Sequence, residues 1–201
     1  MTRIEQIERI DRAIALSPRR ASYRETHAIY SIDLHRFAQA RADLDTAIAL
    51  SDRPYLRFLR GLVCCQLGDF AGSLADFDLA IAGQPENDQF YRGRALARAA
   101  VGRHHEALAD AELLVKLAPQ RAESYYARGV ALSALGRDRD AIPDFDESLR
   151  RRPELIYPLH ARAVAYDRLD DLVRAAADRK EARRREEATP HCAVCLDPFR
   201  Y

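Results

Sequence analysis

A spacing of 34 residues recurs through most of this chain and limits what it can fold into. Gly68, Gly102 and Gly136 keep that interval, and so do Pro85, Pro119 and Pro153. Asp76, Asp110 and Asp144 keep it as well, and Arg60, Arg94 and Arg128 continue to Arg162. Four registers at one period identify an internal repeat. A unit of this length is one supersecondary element that cannot cover its apolar side alone, so copies must stack in a row.

The pattern runs past these copies in both directions. Ala40, Asp43, Leu44, Ala47 and Ile48 match Ser73, Asp76, Phe77, Ala80 and Ile81 at a spacing of 33, with one residue missing near Ser51 to Pro54. Ile10, Ala13 and Ile14 match Leu44, Ala47 and Ile48, which gives a second helix without its first at the N-terminus. Arg162, Ala163, Leu169, Ala175 and Asp178 carry the pattern forward from Arg128, Gly129, Leu135, Ala141 and Asp144.

Within one copy the apolar positions follow a helical period. Tyr125, Gly129 and Leu132 share one face before Gly136 stops the helix; Ala141, Phe145, Ser148 and Leu149 share another before Pro153. Small residues at Gly129 and Ala141 let two antiparallel helices approach, and Phe145 fills the space toward the next copy. Only 8 glycines and 9 prolines in 201 residues, with no tryptophan, suit an all-helical chain. Pro143 falls inside a second helix, where an interior proline costs about 3 kcal/mol. A late or frayed start, with Asp140 as cap and Pro143 in the first turn, would remove that cost.

From Tyr126 to Gly136, the stretch Tyr-Ala-Arg-Gly-Val-Ala-Leu-Ser-Ala-Leu-Gly resembles the first helix of the tetratricopeptide repeat family, and Ala141, Phe145 and Pro153 fit its small, large and proline positions. The resemblance covers about residues 2–187. It implies an all-α, right-handed α-solenoid of stacked antiparallel helix pairs. The expected organisation is a half repeat at 2–18, repeats at 21–53, 54–87, 88–121, 122–155 and 156–187, and a tail at 188–201. Leu34-His35 and Asp170 depart from the family's turn glycine. Arg179 and Arg183 replace apolar residues, as a terminal helix facing water requires.

In that family the first helices line a concave face that takes extended or helical peptides. By position, the resemblance gives an aliphatic row of Ile29, Leu62, Leu96, Val130 and Val164 beside a varied row of Glu25, Phe58, Arg92, Tyr126 and His160. Ser22, Tyr55, Gln89, Glu123 and Tyr157 would form the edge. An apolar stripe beside varied side chains suits a peptide with apolar anchors; burial of the aliphatic row between repeats is the alternative. The lysine, arginine and asparagine clamp that some members use on chaperone tails is not matched, because those positions hold Glu25, Ile29, Leu59, Gln89 and Gly93.

The arginine and aspartate registers read as bridges within each repeat, since every arginine has a carboxylate sixteen residues later. An anion-binding ladder of arginines is the competing reading. With 32 basic and 31 acidic residues there is no basic field to draw in nucleic acid, and no apolar run is long enough for a membrane span. The charged N-terminus lacks a leader's apolar core, and Cys64-Cys65 is no disulfide framework, so the expected compartment is the cytoplasm. No nucleophile elbow or phosphate loop appears, so the chain reads as a non-enzyme whose partner is a protein or peptide, in an oligomeric state left open. His104 and His105 are expected at a solvent-exposed helix start, Cys64 in the core and Cys65 near the groove. In the tail, His191, Cys192 and Cys195 have metal-knuckle spacing, and the stretch from Cys192 to Phe199 is similar to the opening of a RING finger. Zinc as cofactor, with a regulatory or assembly role, is one implication of this likeness; a bare linear motif with free thiols, a site completed across a dimer, and the front part of a longer protein stay open as explanations. A structural zinc site needs four ligands, and no second pair follows. The repeats call for no cofactor.

Overall fold

The protein, seen in a computed structural model, is described over residues 3–188. Eleven α-helices and no strand occur among the described residues. They are α1 Arg3–Leu16, α2 Ala21–Asp33, α3 Phe37–Leu50, α4 Pro54–Gln66, α5 Phe70–Gly83, α6 Asp88–Ala100, α7 His104–Leu117, α8 Ala122–Ala134, α9 Asp138–Arg151, α10 Tyr157–Arg168 and α11 Leu172–Ala188. The chain is all-α, an α-solenoid of helix pairs. The helices gather into two compact units, with the division between Gly93 and Arg94 inside α6.

Main-chain geometry stops every first helix in the same way. His35, Gly68, Gly102, Gly136 and Asp170 all take positive φ, between 56° and 80°. The residue after each donates its N–H to the carbonyl five positions back, from Arg36 to Ser31 through Asp171 to Tyr166, at 2.8 to 3.0 Å. This is the bond that closes a helix on a left-handed residue. Glycine adopts that conformation freely; histidine and aspartate are among the side chains that tolerate it best. The period of the sequence is thus the period of these stops.

Paired helices approach closely where a small residue faces a large one. A Cβ on Gly61 would lie 2.7 Å from Phe77, and one on Gly129 would lie 2.6 Å from Phe145. Phe77 and Phe145 are fully buried. In the first unit, Ala28, Ala40, Leu44, Leu56, Leu59 and Val63 form one continuous core across α2, α3 and α4. In the second, Leu132, Ala141, Phe145 and Ala165 join α8, α9 and α10. Arg179 and Arg183 on α11 are exposed, as the sequence leads one to expect of a terminal helix.

Pro143 does not delay its helix. α9 begins at Asp138, in line with its counterparts, and Pro143 lies inside it. Asp140 is therefore a first-turn residue and not the cap. The turn at Gly136 and the burial of Ala141 fix where α9 starts. Pro143 is exposed, so the carbonyl it leaves without a donor lies on the outer side, where water can reach it.

Candidate functional site

Four first helices, α4, α6, α8 and α10, are clamped to their second helices by the same bidentate pair. Arg60 Nε and Nη2 donate to Asp76 at 2.7 and 2.8 Å. Arg94 and Asp110 repeat this at 2.9 and 2.7 Å, and Arg128 and Asp144 at 2.8 and 2.6 Å. Arg162 and Asp178 do so at 2.8 and 2.6 Å. The hydrogen bonds that Arg60, Arg128 and Arg162 donate to Asp76, Asp144 and Asp178 push these guanidiniums above the ordinary arginine range. Some arginines reach a second carboxylate on the preceding copy. Arg60 Nη1 donates to Asp45 at 2.6 Å, and Arg162 Nη1 bonds Asp146. Guanidiniums held by fork-to-fork pairing are structural struts, and the anion-ladder reading gives way.

His27 stands at the arginine register of the first repeat, where the recurrence of arginine alone does not reveal it. Its Nδ1 lies 2.5 Å from Asp43, and its Nε2 lies 3.3 Å from Asp11. Asp43 also accepts from Arg24 at 2.8 Å and from Gln39 at 3.2 Å. Counting back 33 residues from Arg60 would have found it. His27 and Asp11 line a concavity of about 710 Å³ that His35 and Phe37 also border. Among the described residues no His, Cys, Asp and Glu group is arranged to hold a metal.

Of the expected groove residues, several are packing residues. Phe58 is fully buried, its ring 5.0 Å from that of Phe90 and 6.0 Å from that of Phe77. Leu62, Leu96 and Arg92 are also buried. The alternative of an aliphatic row covered between repeats therefore holds at Leu62 and Leu96. The room left by Gly93, where a Cβ would lie 3.3 Å from the Phe58 ring, lets Phe58 lie inward. Glu25, Ile29 and Tyr55 in the first unit are half-buried. Glu25 bonds Arg53, and Ile29 and Tyr55 lean on the core. In the second unit Tyr126 and Val130 on α8 are half-buried against Phe145 and its neighbours. His160 and Val164 on α10 are exposed. The Tyr126 ring meets Tyr157 edge-on at 4.4 Å, and His160 Nε2 lies 2.9 Å from Glu186.

The remaining candidates are quiet. Cys64 is buried and Cys65 half-buried, both as free thiols. Cys65 Sγ is 2.8 Å from Ser73 Oγ, and burial pushes its thiol up to about 11. Burial raises Cys64 too, so neither is a thiolate at neutral pH. His105 is exposed as expected, but His104 is half-buried. His191, Cys192 and Cys195 lie outside the described residues. No described helix is long and apolar enough to cross a membrane.

Paired helices with a common stop, a common strut and a small-to-large contact define a helical repeat protein. Residues 122–155 match the model of the tetratricopeptide repeat family, on the copy that holds Arg128, Gly129, Phe145 and Pro153. That match does not bear out the likeness of the tail to a RING finger. A tetratricopeptide repeat protein from Parabacteroides merdae aligns with a TM-score of 0.80 at 18% identity, over 98% of this chain and 76% of its own. TTC0263, a thermophilic protein of the same kind from Thermus thermophilus, aligns with a TM-score of 0.77 at 17% identity, over 88% of this chain and 95% of its own. YrrB, described as having an unusual peptide-binding site, aligns with a TM-score of 0.61 at 17% identity, over 93% and 95%. No curated protein sequence matches. The fold is that of the tetratricopeptide repeat proteins.

Proposed function

We propose that this protein is a scaffold that holds a peptide or protein segment against the first helices of its second unit, at Tyr126, Val130, His160 and Val164. One observation carries the reading. Val164 is 44% exposed at the register where Leu62 and Leu96 are buried at 6%. An uncovered aliphatic side chain on the helix next to the half-covered Tyr126 is a surface suited to an apolar anchor. The His160–Glu186 pair at its border offers polar recognition of the flanking residues. A peptide-binding site in a protein of the same fold supports the reading by analogy. The proposal assigns no catalytic step and no cofactor. It sets the protein in the cytoplasm, where free thiols such as Cys64 and Cys65 persist.

Selection of peptides from a displayed library against the full chain, followed by fluorescence anisotropy, tests this. Val164→Glu and Tyr126→Ala should each weaken the selected peptides about tenfold or more, the loss of one buried anchor. Val173→Glu, on an exposed residue of α11, should leave binding unchanged. Selected peptides that bind Val164→Glu as tightly as the unaltered protein would defeat the proposal.

A further inference from the structure

Five positions that the later copies bury, save for Arg179 on α11, are open at the start of the chain. Gln6, Ile10 and Ala13 on α1 and Tyr23 and Tyr30 on α2 are all half-buried. They line a cavity of about 300 Å³. Their counterparts are sealed. Ala40, Leu44 and Ala47 are 0% exposed, as are Ser73, Phe77 and Ala80. Leu56 and Phe90 at the Tyr23 register, and Ala97 and Ala165 at the Tyr30 register, are also 0% exposed. In those copies the covering element is a first helix, lying against its own second helix and the next first helix. Among the described residues α1 has no such mate, and the cavity lies where a first helix stands in the other copies.

Charge says what kind of helix fits. Arg9 stands at the register of Asp43, Asp76, Asp110, Asp144 and Asp178, and it is exposed. Every one of those aspartates binds a His27 or arginine of its first helix. A helix entering the open slot meets the opposite sign there. Arg20, also exposed, holds the register of Arg53, which binds Glu25 two positions before His27. We infer that the slot docks an acidic amphipathic helix of a partner protein, with carboxylates at the Glu25 and His27 registers and a small residue at that of Ala28. A second copy of this chain is disfavoured, because its own first helices offer His27, Arg60, Arg94, Arg128 or Arg162 where Arg9 requires an acid. The inference does not depend on the groove at Val164.

The probe is a labelled peptide of residues 21–34 carrying H27E, titrated against the full chain by fluorescence anisotropy. The same peptide carrying H27R is the comparison. The acidic peptide should bind at least about tenfold more tightly, the effect of exchanging one attractive contact for a repulsive one. Arg9→Glu in the protein should reverse that order, and Ala13→Glu should abolish binding of both peptides. Circular dichroism melting checks that the variants stay folded. Equal binding of the two peptides, or an order that Arg9→Glu does not change, overturns the inference. So would self-association of the unaltered chain that Ala13→Glu abolishes, which would give the slot to a second copy.

Discussion

The helix pair at 21–50 and the helix pair at 122–151 build one frame from different parts. At the strut, the first uses His27 with Asp43 and the other Arg128 with Asp144. At the close contact, Ala28 and Leu44 stand where the other has Gly129 and Phe145. At the stop, His35 does the work of Gly136. The exchanges compensate locally. A larger small residue goes with a smaller large one, and a shorter donor goes with helpers. Asp43 has three side-chain donors, whereas Arg128 is the donor seen at Asp144. Each copy is therefore balanced within itself.

The strut offers the hardest test of that balance. Arg128→Ala strands a buried carboxylate, so it should destabilise by about 3 kcal/mol. His27→Ala should cost about 1 kcal/mol, because Arg24 and Gln39 still serve Asp43. Urea unfolding compares the two, and equal losses would mean that the helpers carry nothing. The close contact comes next. Gly129→Ala should destabilise by about 1–2 kcal/mol, since crowding against Phe145 outweighs the gain in helix propensity. Adding Phe145→Leu, the combination found at Ala28 and Leu44, should cost less than the sum of the two single changes. Strict additivity in that double-mutant cycle would break the idea of a matched pair. The stop is the gentlest. Gly136→Ala has open space around its new methyl group, so only backbone strain acts and the loss should be about 1 kcal/mol. His35→Gly should raise the melting temperature slightly by relieving the same strain, and a fall would show that the His35 ring, edge-on to Phe37, supplies more than conformation.

Much of this frame is legible in the amino-acid order alone. The glycine interval marks the stops, and the sixteen-residue offset from arginine to aspartate marks the struts. What the order does not reveal is anything set by the size of neighbours. Period places Phe58 and Leu62 on first helices, but whether such a side chain faces a partner or the core depends on rings contributed by Phe77 and Phe90. Pro143 misleads for a related reason. Local propensity asks for a later start, while the buried Ala141 and the turn at Gly136 hold the whole helix in register. His27 is hidden by its identity, since an imidazole does not look like the guanidiniums that share its place in the other copies.

The five main-chain stops have a consequence for how such a surface can change. Because a backbone bond to the carbonyl five residues back ends each first helix, the length of that helix does not depend on the side chains it displays. Residues such as His160 and Val164 are then exchangeable without shifting the alignment of the copies that follow. In the groove proposed at Val164, folding and recognition would be written in separate letters of the same segment, leaving the second free to drift while the first stays intact.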